Sequence, residues 1–109
     1  MTTMLKAWGT EIPVTLEVTK YRNGTTAITV TDHSEGYPQP YCTLTVNFEE
    51  VAVLEEDLAF VDVNNCPWAE EFITDLEIAF PTGITHRSGY VVYPLYMFSL
   101  KEIQKYSEV

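Results

Sequence analysis

The sequence predicts an α+β domain with a mostly antiparallel sheet of five or six strands and one main helix packed on a face. Two patterns carry this prediction. Apolar and polar residues alternate in several separate stretches, which is typical of half-buried strands. One stretch near the middle instead repeats its apolar residues at helical spacing. A chain of 109 residues also has the length of a single domain, residues 1–109.

The helix signal covers residues 66–78. Pro67 suits a first helical turn, where its missing N–H would have no partner in any case. Asn65 or Cys66, the two residues before it, can serve as the N-cap, and Asn65 is favoured because asparagine side chains cap well. Residues that share helical spacing predict an apolar stripe facing the core: Trp68, Ala69, Phe72, Ile73 and Leu76. Acidic residues that lie outside this stripe face water or a partner: Glu70, Glu71, Asp75 and Glu77.

Six stretches have the composition or alternation of strands: residues 4–8, 13–20, 25–31, 41–48, 58–63 and 90–100. The Asn23-Gly24 pair is a strong hairpin signal and joins the second stretch to the third. Pro94 within the last stretch predicts an edge position or a bulge, because proline cannot donate to a sheet hydrogen bond.

The remaining stretches predict irregular structure. Proline and glycine predict loops over residues 32–40 and 80–88. Residues 49–57 are acidic, and Val51, Val53 and Leu54 predict a short turn or strand edge there. Residues 101–109 predict a frayed helical turn or a mobile tail.

Charge is the most informative feature of the composition. The formal net charge is −10, and no Lys or Arg occurs between Arg22 and Arg87. That interval holds 12 of the 16 carboxylates and carries −12, while the rest of the chain carries +2. Such a field repels nucleic acid and attracts basic surfaces. The alternative is that the acidity serves solubility alone.

The possible enzyme chemistries have little support. Cys66, His33 and His86 offer zinc ligands, but no CxxC or HxxxH spacing joins them. Cys66 with His86 as its base would make a cysteine nucleophile, yet nothing in the sequence places the two together. Acidic residues that could hold magnesium lack a nearby cation for a phosphate: Glu55, Glu56, Asp57 and Asp62. We therefore predict no catalytic residue, no metal and no cofactor.

Composition also bears on location and partners. No apolar run approaches 18 residues and the first residues lack an apolar signal region, so we expect neither a membrane span nor a signal peptide. Two cysteines make no disulfide framework and fit a reducing cytoplasm. Tyrosines without a positive groove do not favour direct nucleic-acid binding.

Protein binding through an anionic surface remains. Acidic side chains along a loop and a helix mimic a phosphate backbone and compete for a basic groove. The predicted partner-binding residues are the acids of residues 49–57 and of the helix: Glu49, Glu50, Glu55, Glu56, Asp57, Glu70, Glu71, Asp75 and Glu77.

Several segments resemble a known kind of domain. They are VNNCPWAEEF at residues 63–72, PTG at 81–83, RSGY at 87–90 and YPLY at 93–96. In this order they resemble a small domain of uncharacterised function that mobile elements of Gram-positive bacteria carry, alone or near conjugation proteins. The resemblance covers residues 60–98.

In small size, acidity and mobile-element setting the chain also resembles type II anti-CRISPR proteins, which inhibit the RNA-guided CRISPR nuclease. This resemblance implies binding to that nuclease in the cytoplasm of a bacterial host cell, with interference in guide-RNA or DNA binding. Two alternatives stay open. One is an accessory or structural interaction domain of a conjugative mobile element, and the other is a metal-dependent or cysteine enzyme.

Overall fold

The computed structural model describes residues 1–51 and 55–108. In those residues the chain forms eight strands, two short α-helices and a 3₁₀ turn. In chain order they are β1 (Thr3–Ala7), β2 (Thr10–Lys20), β3 (Thr26–Asp32), β4 (Gln39–Thr43), β5 (Thr45–Val46), β6 (Leu58–Val61), α1 (Ala69–Asp75), β7 (Ala79–Ser88), β8 (Val91–Phe98), α2 (Leu100–Ile103) and the 3₁₀ turn Gln104–Tyr106. The predicted α+β class with mostly antiparallel strands is confirmed.

The strands of the described residues form two four-stranded sheets, not one sheet of five or six strands as predicted. Their orders are β1-β2-β3-β4 and β5-β6-β8-β7. The difference arises at Leu44, which divides the predicted strand over residues 41–48 into β4 and β5. The Leu44 N–H donates to the Ile28 carbonyl at 2.8 Å, and the Leu44 carbonyl accepts from the Asp62 N–H at 2.8 Å. Leu44 therefore bonds once toward each sheet.

The first sheet follows the predicted pattern most closely. The predicted hairpin over residues 21–31 is confirmed, because β2 pairs antiparallel with β3 through a tight turn at Asn23 and Gly24. The Gly24 N–H donates to the Tyr21 carbonyl at 2.9 Å. Gly24 has a φ of 88°, a backbone conformation that glycine adopts without a steric penalty. The signal for this turn comes from Asn23 and Gly24 and not from distant residues, so the turn forms as the sequence predicts.

The second sheet contains two differences from the prediction. Residues 80–88, predicted as a loop, lie almost entirely in β7, which is the outer strand beside β8. An outer strand tolerates Pro81, and the register shifts between Pro81 and Thr85. Of the two alternatives predicted for Pro94, the edge position is wrong, since β8 lies between β6 and β7. The bulge agrees with the structure, because Pro94 faces Thr85 at the end of the register shift, and β6 pairs with β8 only as far as Leu95.

Helix α1 is shorter than the predicted helix over residues 66–78. Asn65 does not cap it: its backbone and side-chain N–H groups donate to the Asp62 carboxylate at 3.1 and 2.9 Å. This turn delays the start of the helix to Ala69, with Trp68 as the N-cap residue. Glu77, with a φ of 59°, is the second residue after its end. Of the predicted apolar stripe, Ala69, Phe72 and Ile73 are buried, while Trp68 and Leu76 are half-buried.

The main core joins side chains from both sheets and α1. Its largest fully buried members include Leu5, Leu16, Ile28, Leu44, Ile73 and Ile78. A second cluster on the other face of the second sheet consists of Phe60, Tyr93 and Leu95. Of the two alternatives predicted for residues 101–109, the helical turn is the one that forms, because α2 and the 3₁₀ turn cover residues 100–106. Ile103 of α2 is 1% exposed and packs into the main core.

Two further predictions concern residues 49–57 and membrane spans. A turn or strand edge was predicted at Val51, Val53 and Leu54, of which Val53 and Leu54 lie outside the described residues, as does Val109. Within residues 1–51 and 55–108, no helix has the length and apolar character needed to cross a membrane.

Candidate functional site

Helix α1 and the second residue after it hold four of the predicted partner-binding carboxylates. Glu70, Glu71, Asp75 and Glu77 are all exposed, because the helix turns its apolar side toward the core. Glu70 is fixed in place by the Tyr96 hydroxyl, which donates to its Oε1 at 2.7 Å. The last turn of α1 has no basic residue. The helix therefore presents uncompensated negative charge on its outer side.

Glu49 and Glu50 lie after β5 and belong to a different part of the surface. The Oε1 of Glu50 is 3.1 Å from the Nε2 of His86 in β7. A hydrogen bond from its own backbone N–H and then the bond with His86 lower the pKa of the Glu50 carboxyl. The ring of Phe48 stacks at a centroid distance of 4.6 Å from that of His86, which positions the imidazole.

Glu55, Glu56 and Asp57 precede β6 and are held near the β2–β3 hairpin. The Glu56 carboxylate is 3.9 Å from the Lys20 ammonium, and its backbone carbonyl accepts from the Thr26 hydroxyl at 2.6 Å. The Asp57 carbonyl accepts from the Phe98 N–H at 2.7 Å. Glu55 and Glu56 are exposed, whereas Asp57 is half-buried.

The nine predicted residues thus have three separate supports: helix α1, the segment beside His86, and the segment beside Lys20. Eight of the nine side chains are exposed. Over residues 1–51 and 55–108, ion pairs with basic groups involve only Glu50 and Glu56 among the nine. The structure keeps most of this charge available, but it joins the three groups by no hydrogen bond in that part of the chain.

A groove between β1 and α1 adds apolar surface beside the carboxylates of the helix. It has a volume of about 180 Å³, and Trp68 and Phe72 of the helix region line it with Met4 of β1. Glu71 and Asp75 also line it. Met4 was not among the predicted site residues. The alternation of side chains along β1 would have placed it on the outer face, because successive residues of a strand point to opposite faces. Leu5 is fully buried, and its neighbour Met4 is 52% exposed.

Trp68, which lines this groove, also carries a buried hydrogen-bond donor. Its indole packs against the rings of Tyr41 and Phe72, at centroid distances of 6.1 and 5.9 Å. The indole Nε1–H is buried and has no acceptor among the described residues. A buried donor without a partner destabilises a fold by about 1–3 kcal/mol.

The candidate catalytic and metal-binding residues occupy separate environments. Cys66 is 2% exposed and donates to the Thr43 carbonyl at 3.7 Å. His33 Nε2 is 2.8 Å from the Thr15 hydroxyl, while His86 contacts Glu50. In the described ranges, no three His, Cys, Asp or Glu side chains are grouped as a metal site. The predictions of no catalysis and no metal remain predictions.

The second cysteine lies beside the first. Its hydrogen bond with Cys66, together with burial, raises the pKa of the Cys42 thiol. The hydrogen bond that Cys66 accepts from Cys42 lowers the pKa of the Cys66 thiol, whereas burial acts in the opposite direction because it disfavours the charged thiolate. An activated nucleophilic cysteine combines a lowered pKa with exposure, and neither thiol has both.

The tyrosines near the end of the chain divide between surface and core. Tyr90 is fully exposed in the turn between β7 and β8. Tyr93 and Tyr96 are 9% and 4% exposed, so their rings belong to the two apolar clusters. A surface that would stack several bases on these rings is therefore not formed.

The fold and this surface define a small α+β domain of two antiparallel sheets that displays carboxylates around an apolar groove. A family described as Domain of unknown function (DUF4313) matches residues 15–109, and the chain belongs to that family. No curated protein and no solved structure matches the chain.

Proposed function

We propose that this domain is a non-enzymatic inhibitor that binds a basic nucleic-acid-binding groove of another protein. The observation that carries the proposal is that eight of the nine predicted carboxylates are exposed, in a region that has no Lys or Arg from residue 23 to residue 86. A surface that serves solubility alone works well with mixed signs. The partner we propose is the type II CRISPR nuclease, on the basis of the resemblance to anti-CRISPR proteins.

The local environments support a binding role over a catalytic one. Glu70, Glu71 and Asp75 are presented by a helix whose other side is fixed in the core. Rigid support reduces the entropy that a surface loses on binding. The alternative nucleophile, Cys66, lies beneath the surface at 2% exposure, where a substrate would not reach it.

The experiment measures the affinity of the purified chain for the type II nuclease, free and loaded with guide RNA, at low and high salt. We expect binding to the free nuclease, competition by guide RNA or target DNA, and a steep loss of affinity as salt rises. Nuclease activity on target DNA should fall in proportion to occupancy. Absence of binding at low salt would rule out this partner.

A matched set of variants separates binding from catalysis. Cys66→Ala, His33→Ala and His86→Ala should each leave inhibition within about twofold, because the proposal assigns them no chemistry. Loss of inhibition in a variant that still folds and still binds the nuclease would instead favour the enzyme alternative.

A further inference from the structure

The groove between β1 and α1 is distinct from the rest of the acidic surface, because it combines carboxylates with apolar walls. Met4, Trp68 and Leu76 supply the apolar part, and Glu71 and Asp75 supply the charge. Glu71 and Asp75 are four residues apart on one helix, so their side chains lie on the same face, one turn apart.

The size of the groove indicates what kind of group it takes. Its volume of about 180 Å³ is below the roughly 300–1,000 Å³ of sites that enclose small-molecule ligands. It is therefore suited to one side chain of a partner. A purely apolar side chain would remove water from two carboxylates without replacing their hydrogen bonds, which is unfavourable.

Charge complementarity then selects a cation. In the described residues Glu71 and Asp75 have no ion pair, and the other charged residue of the groove, Lys6, is 3.9 Å from Glu11. Arginine matches this site better than lysine. Its planar guanidinium binds carboxylates through two parallel hydrogen bonds and stacks on aromatic faces, and its stem packs on apolar surface.

We propose that this groove binds one arginine side chain of a basic partner protein, with the guanidinium at Glu71 and Asp75 and the stem against Met4 and Leu76. The Trp68 indole forms the adjoining wall and stabilises the cation through its ring. The proposal rests on the proposed function only for the identity of the partner. It names the part of the acidic surface where binding is most specific.

The test uses the capped tripeptide Gly-Arg-Gly as the probe and the indole N–H resonances of the ¹⁵N-labelled full chain as the readout. The chain has two tryptophans, and Trp8→Phe assigns the two signals. We expect a saturable shift of the Trp68 signal at millimolar peptide and none of the Trp8 signal, since Trp8 is 70% exposed in another turn. No shift of the Trp68 signal would overturn the proposal.

Two control peptides test the chemistry of recognition. Gly-citrulline-Gly has nearly the same shape without the charge, and we expect it to bind at least tenfold more weakly. Gly-Lys-Gly keeps the charge without the planar fork, and we expect it to bind several-fold more weakly. Equal affinity of all three peptides would contradict an arginine site.

Two variants with the same change in net charge test the location. Glu71→Gln with Asp75→Asn should weaken the arginine peptide at least tenfold, while Glu17→Gln with Glu35→Gln, at exposed acids outside the predicted binding surface, should change it less than twofold. All four side chains are exposed, so circular dichroism should show both variants folded. Equal weakening in both would mean that general charge attracts the peptide, and the groove proposal would fail.

This peptide measurement is independent of the nuclease assay. Peptide binding at the groove without nuclease binding would refute the proposed partner and retain the arginine site. Nuclease binding that the Glu71→Gln, Asp75→Asn variant leaves unchanged would retain the proposed function and refute this groove as the place where the nuclease binds.

Discussion

The hydroxyl of Tyr96 in β8 donates a 2.7 Å hydrogen bond to the Glu70 carboxylate on α1. This contact ties the acidic helix to the second sheet, because Tyr96 is 4% exposed and its ring belongs to the main core. Burial and then the bond with Glu70 raise the pKa of the Tyr96 hydroxyl to about 12.

Tyr96→Phe should lower the free energy of unfolding by about 1 kcal/mol, the usual net contribution of one hydrogen bond. The pKa of Tyr96 is higher in the folded chain than its ordinary 10.0, so its contribution is fully present below pH 10 and is lost as pH rises toward 12. Urea titrations across this range should show a flatter pH dependence in the variant. Tyr90→Phe, at a fully exposed position, should match the unmodified chain.

Leu44→Ala should destabilise the chain by about 2–5 kcal/mol, the range for truncating a buried leucine. Leu44 is fully buried, and its two backbone bonds connect the sheets. Val92→Ala, at a position that is 42% exposed, is the control and should cost well under 1 kcal/mol. A similar loss in both variants would mean that the Leu44 side chain is not packed in the core.

Trp68→Ala should destabilise the chain by about 2 kcal/mol, below the roughly 3–5 kcal/mol for a fully buried aromatic residue. The reason is that Trp68 is half-buried and removal of its indole also removes a buried N–H without an acceptor. Denaturant titration measures the change, with Trp8→Phe as the control. A loss above 4 kcal/mol would show that the ring is a core residue and not a groove wall.

Charge reversal in two matched pairs should locate the binding surface. Glu71→Lys with Asp75→Lys should weaken binding to the nuclease tenfold or more, about 1.4 kcal/mol. Glu17→Lys with Glu35→Lys, at exposed acids outside the predicted binding surface, changes the net charge equally and should have little effect.

The same affinity measurement distinguishes the other outcomes. Equal weakening by both pairs would indicate attraction by net charge alone. No weakening by either pair would mean that the acidity serves solubility.

Local signals in the sequence predicted the elements whose conformation depends on neighbours in the chain. Asn23 and Gly24 predicted the β2–β3 turn, and the spacing of Ala69, Phe72 and Ile73 predicted the buried side of α1. The Pro67 signal placed the helix start too early. Hydrogen bonds from Asn65 to Asp62 stabilise a turn there instead. The helical spacing of apolar residues could not predict this turn, because it depends on a side-chain hydrogen bond that competes with the helix.

Tertiary pairing determined what the sequence could not predict. Residues 41–48 alternate as one strand, and only the bonds of Leu44 to Ile28 and Asp62 divide it between two sheets. Proline and glycine in residues 80–88 resemble a loop, yet an outer strand accommodates them. The groove could not be predicted either, because Met4 and Glu71 are far apart in the chain and line one groove only after β1 and α1 have packed.

The strand order has a consequence for the order of folding. Neighbouring strands in the first sheet are consecutive along the chain. In the second sheet, β6 pairs with β8, so Phe60 must pair with Leu95 although α1 and β7 lie between them in the sequence. Closing the longer loop costs more entropy and is slower. We therefore expect the first sheet to form before the second when the full chain folds. In pulse-labelled hydrogen exchange, the amide of Val30 should gain protection before that of Leu95.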